Sequence, residues 1–174
     1  HCSMKFGFVK VAAAVPSGKV ADCKFNAQQT ENLIAVADGK GVQILVFPEL
    51  NLTGYSCADL FGQQLLLEQA EFALMQVMNN TRQLDIISIV GMPVMVNATL
   101  LNCAVAFQKG KILGIVPKTY LPNYKEFYEK RWFAPSTAFP ENMTVRLCGQ
   151  LVPCGRNLLF DTPDTCFGIE ICED

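Results

Sequence analysis

The strongest constraint in this sequence is a succession of short, wholly apolar runs, each broken by glycine, proline or a polar turn. None is long enough to span a bilayer. Residues 6–15 (FGFVKVAAAV) are rich in small and β-branched side chains and stop at Pro16-Ser17-Gly18, as a strand does. From about Asp22 the period changes: Ala27, Thr30, Leu33, Ile34 and Ala37 recur at helical spacing until Gly39 or Gly41. Residues 44–47 return to a short apolar strand ending at Pro48-Glu49. Strand, helix and strand in this order predict a parallel pair joined by a right-handed crossover. An apolar share of 51% against 17% charged fits a sheet covered on both faces.

Residues 51–59 (NLTGYSCAD) have the composition of a loop. A second helix is expected over residues 60–80, with Leu66, Ala70, Ala73, Leu74 and Val77 on one stripe. Residues 85–90 predict another buried strand. Residues 100–107 and 112–116 predict a hairpin across Gln108-Lys109-Gly110-Lys111, which brings antiparallel pairing into a sheet that began parallel. Residues 123–133 suit one or two aromatic helical turns, residues 135–140 a loop, and residues 144–153 fit neither period. Residues 158–160 and 166–171 close the chain as a strand pair, the second strand read as buried. There is no internal repeat and no low-complexity tract.

A net charge of −2 and a pI near 5.4 offer no electrostatic footprint for nucleic acid or an anionic membrane. Residues 1–3 read as a cloning remnant ahead of Met4, leaving residues 4–174 as one domain-sized unit. With no leader before the first strand, the expected compartment is the cytoplasm. There the sequons at Asn51, Asn79, Asn97 and Asn142 are chance matches, and the eight cysteines form no disulfide framework. No CxxC pair occurs and the single histidine is His1, so no metal site is expected.

Three ionisable residues stand at the ends of apolar runs: Glu49, Lys118 and Cys172. Taken singly they are a turn-capping glutamate, a solvated lysine and a core cysteine. Taken together they carry chemistry. A thiol at the mouth of a strand is fixed by the sheet yet accessible from the following loop, which suits a nucleophile. Without a usable histidine, its base must be a carboxylate, a lysine or a water, and Glu49 is the leading candidate. Lys118, between Val116-Pro117 and Tyr120-Leu121-Pro122, would favour the thiolate and hold an oxyanion. That cation offsets Glu170, Glu173 and Asp174, whose charges near Cys172 oppose ionisation. The set points to acyl transfer from an amide or nitrile carbon.

Phe47-Pro48-Glu49-Leu50, Pro117-Lys118 and Ile171-Cys172-Glu173-Asp174 resemble, in order, the three catalytic blocks of the nitrilase superfamily of carbon–nitrogen hydrolases. Residues 49–61 (ELNLTGYSCADLF), 118–133 (KTYLPNYKEFYEKRWF) and 168–174 (GIEICED) resemble one branch more closely, the glutaminase domain of glutamine-dependent NAD synthetases. This resemblance covers nearly the whole chain, from Met4 to Asp174. It implies an α/β fold of the four-layer αββα sandwich type with mixed sheets, truncated here at its C-terminal side. It implies Glu49 as general base, Lys118 as electrostatic stabiliser and Cys172 as nucleophile. Glu126 resembles a second glutamate beside the triad; Tyr124 and the Glu173 N–H would face the oxyanion. Tyr55 and Glu129 would line the glutamine pocket. Glutamine is the implied substrate, and this domain needs no cofactor. ATP and deamido-NAD would serve a synthetase domain absent from this chain, in an enzyme that is a homo-oligomer when intact. A chain ending at Asp174 is expected not to hydrolyse glutamine alone. Two other readings stand beside this one. A stand-alone nitrilase-type amidase on another small amide or nitrile fits the triad, though the blocks at 55–61 and 124–133 argue against it. A folded, inactive fragment fits the abrupt end.

Overall fold

The structure, a computed structural model, describes residues 9–54, 64–96, 99–118, 142–161 and 166–169. Its elements run β1 (Val11–Ala13), α1 (Cys23–Gly39), β2 (Ile44–Val46), α2 (Gln64–Asn80), β3 (Ile87–Val96), β4 (Thr99–Gln108) and β5 (Lys111–Pro117). They continue through β6 (Asn142–Leu147), β7 (Gln150–Gly155), β8 (Leu159–Asp161) and β9 (Cys166–Gly168). Seven strands form one sheet in the order β1-β2-β3-β4-β5-β7-β6, and β8 pairs with β9 in a second, two-stranded sheet.

The mixed pairing follows from the connections. β1, β2 and β3 are parallel neighbours, each step bridged by a helix, as parallel strands require. β3-β4 and β4-β5 are antiparallel hairpins, whereas β5 meets β7 in parallel. Because β5 is antiparallel to β4, it runs in the direction of β2, and the carboxyl ends of β2 and β5 lie at the same edge.

Each face of the large sheet has its own cover. Asp22 caps α1 by accepting the Phe25 N–H at 3.0 Å. Ala27 and Ile34 of α1, with Leu66, Leu74 and Val77 of α2, pack on Leu45, Val90 and Val105. Between the helices the buried carboxylate of Glu31 accepts hydrogen bonds from Gln76 (3.1 Å) and Asn80 (3.0 Å), so its burial is compensated. The opposite face, with Ile44, Ile89, Ala104, Ala106 and Val116, receives Phe160, with Phe167 and Ile169 packed beside it. The Phe160 and Phe167 rings stack at 5.0 Å. The layers of the described residues are therefore helix, sheet and a second, two-stranded sheet.

Several expectations need correction. The strand read over 85–90 starts at Ile87 and continues to Val96 through Gly91 and Pro93. β2 accompanies β3 only as far as Val46 opposite Ile89, so beyond that point Pro93 removes no ladder bond on that edge. Residues 144–153, which fit no period, contain a hairpin whose turn places Cys148 and Gly149 at φ 52° and 73°. Cysteine is a poor signal for a left-handed residue; here its N–H is held by Glu71 Oε1 at 2.7 Å. The Lys109-Gly110 turn has the same handedness and carries the usual glycine. The strand read as buried over 166–171 is half-buried and spans Cys166–Gly168, because it belongs to the small sheet. Among the described residues, the thiols of Cys103, Cys148 and Cys154 are free, while Cys166 is disulfide-bonded, against the expectation of a chain without disulfides. Residues 123–133 and 135–140 lie outside the described residues. Among the described residues, no helix is long and apolar enough to cross a membrane.

The contact between the two sheets has a sharp test. A Cβ on Gly114 of β5 would lie 2.6 Å from Phe160 Cε1. Gly114→Ala should push the β8-β9 hairpin off the sheet and destabilise the protein by about 1–3 kcal/mol. Thermal unfolding followed by circular dichroism reads the effect; an unchanged Tm would show that Phe160 does not pack on β5.

Candidate active site

Glu49 is positioned by a loop that takes over where β2 stops. Phe47 donates its N–H to Ile89 O at 2.9 Å, and the chain then crosses directly above Gly91. A Cβ at position 91 would sit 2.3 Å from Leu50 N and 2.9 Å from the Glu49 carbonyl carbon, so only glycine admits the crossing. The edge that β2 leaves open is filled by this loop. Gly91 N–H donates to Asn51 Oδ1 at 2.8 Å, and Leu52 N–H donates to Gly91 O at 3.2 Å. Asn51 Nδ2 in turn donates to Thr30 Oγ1 at 3.0 Å, and Thr30 donates to Asn26 O at 2.8 Å. Asn26 Nδ2 also reaches Leu52 O at 3.1 Å, which ties the loop to α1. Leu50 (φ 52°) and Gly54 (φ 85°) complete the turn, with Gly54 N–H donating to Leu50 O at 2.7 Å. Leu50 and Leu52 are buried, so the loop is anchored like core.

Lys118 follows the last residue of β5 and extends its ladder, donating its N–H to Asn102 O at 2.9 Å. Its side chain is 1% exposed, and its Nζ lies 2.8 Å from Glu49 Oε1, on a carboxylate that remains 19% exposed. A lysine is rarely buried so completely unless it is paired. The result is a dry cation holding a carboxylate that still reaches solvent. Asn102 Nδ2 donates to the same Oε1 at 3.1 Å.

Glu49 borders a cavity of about 340 Å³ between the large sheet and the segment after β9. Val46, Gly91 and Ala104 line it, and Ile169 forms part of its wall. It lies at the carboxyl end of β2, the kind of position where ligands of α/β sheets bind. A larger depression of about 970 Å³ runs between the start of α1 and α2, lined by Asp22, Lys24 and the exposed Phe72. It brings no buried ionisable pair together. Size alone does not decide, and the chemistry sits at the smaller cavity.

Glu49 and Lys118 are thus brought into contact. Tyr55, Tyr124, Glu126, Glu129, Cys172 and Glu173 lie outside the described residues; Ile169, three positions before Cys172, is at the cavity wall. Reading the sequence missed Asn102, Gly91 and Asn51. Asn102 left a signal, an amide in an otherwise apolar run. Cys103 also borders the cavity, but burial, and then its neighbour Cys154, push its thiol well above the ordinary range. Burial and the Glu71 charge push Cys148 up to about 12, and burial pushes Cys154 up to about 11. None of these three is a ready thiolate at neutral pH. Among the described residues, no group of three His, Cys, Asp or Glu side chains could hold a metal ion.

A buried lysine–glutamate pair at the strand ends of a mixed, helix-covered sheet defines a class, and the match over residues 10–174 identifies it. The chain belongs to the carbon–nitrogen hydrolase family. It is 37% identical, over its whole length, to the glutamine-dependent NAD(+) synthetase of Mycobacterium tuberculosis, of which it covers 26%. Its fold superposes on the crystal structure of a glutamine-dependent NAD(+) synthetase from Cytophaga hutchinsonii with a TM-score of 0.84 and 28% identity, over 95% of this chain and 28% of that one. It shares its fold, at 19% identity and a TM-score of 0.63, with an amidase from Nesterenkonia sp., over 83% of this chain and 54% of that one. The chain spans about a quarter of the length of the curated relatives it matches.

Two outcomes are expected here. Gly91→Ala should displace the Glu49 loop and lower stability by about 1–3 kcal/mol, read as a fall in Tm. In the native protein at pH 8, iodoacetamide should leave Cys103, Cys148 and Cys154 unmodified, because raised thiol pKa values leave almost no thiolate there. Peptide mass mapping checks the second, and rapid labelling of any of the three would contradict it.

Proposed function

We propose that, within the full-length protein, this chain forms the part that hydrolyses the side-chain amide of glutamine through a thioester on Cys172 and supplies the ammonia for NAD synthesis. The observation that carries the proposal is the buried Lys118 ammonium 2.8 Å from the Glu49 carboxylate, which borders a cavity at the carboxyl end of β2. The named relatives support the choice of glutamine.

In this reading Glu49 takes the proton of the Cys172 thiol, and the sulfur attacks the amide carbon. The charge on the resulting oxyanion is held by Lys118, the Glu173 N–H and the Tyr124 hydroxyl. Glu49 returns its proton to the amide nitrogen as the C–N bond breaks, and ammonia leaves. A water that gives its proton to Glu49 then attacks the thioester carbon. The C–S bond breaks, glutamate is released, and the thiol regains its proton from Glu49. Glu126 would support this triad. Tyr55 and Glu129 would hold the substrate, the glutamate facing its ammonium group. No cofactor takes part in these steps. ATP and deamido-NAD would be used at a synthetase domain of the same polypeptide, with residues 4–174 as its glutaminase unit. By the same resemblance the intact enzyme is a homo-oligomer, and the proposed compartment is the cytoplasm.

A fold shared with an amidase favours a second reading, hydrolysis of another small amide. The two part on substrate. In the full-length protein, Cys172→Ala should abolish NAD synthesis from glutamine and leave synthesis from free ammonia. Glu49→Gln should slow glutamine use by about 10²- to 10⁴-fold. Ammonia release from simple aliphatic amides but not from glutamine would favour the amidase. Loss of ammonia-dependent synthesis in Cys172→Ala would refute the division of labour.

A further inference from the structure

Asn102 touches both members of the ion pair. Its backbone carbonyl accepts the Lys118 N–H at 2.9 Å, and its side-chain amide donates to Glu49 Oε1 at 3.1 Å. Lys118 Nζ meets that same oxygen at 2.8 Å. Oε1 therefore carries two donors, whereas among the described residues Oε2 receives no hydrogen bond.

The two donors are not equivalent. An ammonium is a point charge on a flexible stem, and alone it could pass from one carboxylate oxygen to the other. An amide N–H is directional, and this one is mounted on the middle of the sheet. Asn102 lies opposite Pro93 of β3 on one side and holds the residue after β5 on the other. It is 2% exposed.

Stability of β4 does not explain an asparagine here. Its Oδ1 is buried and finds no hydrogen-bond partner among the described residues, which destabilises a fold. A leucine, branched at the same Cγ, would avoid that loss. The amide cannot turn over to relieve it, because Oδ1 would then face the Glu49 carboxylate.

We propose that Asn102 is a positioning residue that, by holding Oε1 of Glu49 beside Lys118, reserves Oε2 for proton transfer. This rests on the reading of Glu49 as the base. Among the described residues, the charged groups that face Asn102 are Glu49, from the loop after β2, and Lys118, at the end of β5.

The test uses ammonia release from glutamine by the full-length protein, with kcat and KM resolved across pH. Asn102→Leu should lower kcat about 10- to 100-fold, as a misplaced catalytic group does, with KM and Tm unchanged. Asn102→Asp should be slow at neutral pH, where a second carboxylate opposes Glu49. Its activity relative to wild type should rise as pH falls, because the new carboxyl group then gains a proton to donate to Oε1. A wild-type kcat in Asn102→Leu would overturn the proposal, as would an Asn102→Asp deficit that is flat with pH. If Asn102→Leu fails to fold, the pH dependence of Asn102→Asp decides alone. Glu49→Gln separates the two levels. Full activity in Glu49→Gln would refute the base, and with it the positioning role. An inactive Glu49→Gln beside a fully active Asn102→Leu would refute the positioning role only.

Discussion

A lysine ammonium with 1% of its side chain exposed is the constraint around which the rest of this structure is arranged. Desolvating a cation is expensive, and the Glu49 carboxylate 2.8 Å away offsets that expense only if it stays where it is. Much of the local architecture keeps it there. The missing side chain of Gly91 lets the Glu49 loop lie on β3, and Asn51 bonds the loop to the edge that β2 vacates. Thr30 and Asn26 link the same loop to α1. Lys118 is held from its other end by the β4-β5 ladder, through the carbonyl of Asn102.

The two faces of the sheet divide the work. One face packs against α1 and α2 through a continuous apolar core and supplies stability. The other receives the β8-β9 hairpin through Phe160, and the segment leaving β9 brings Ile169 to the cavity beside Glu49. Three of the free thiols are held by burial well above the ordinary range, including Cys103 at the cavity itself. Protonated sulfur is an inert filler.

Much of this was legible from local pattern. The helical stripes of α1 and α2, the short apolar strand at 44–47 and the Lys109-Gly110 turn read correctly because each depends on residues within a few positions of one another. What failed did so where a distant neighbour overrode a local signal. β3 runs through Pro93 because its β2 edge is already free. Cys148 takes a left-handed turn whose N–H Glu71 holds from α2. The last strand is half-buried because it pairs in a separate sheet.

Glu49 and Lys118 were legible as ionisable residues at the ends of apolar runs, because a sheet places such ends at its rim. By itself, then, the sequence determined the kinds of element, the parallel start of the sheet and which charged residues sit at strand ends, since these follow from periodicity and composition. Only the tertiary structure decided that Glu49 and Lys118 touch, that Gly91 must be glycine and that Asn102 joins them. Those facts depend on strand order and on a register set by pairing between residues far apart in the chain.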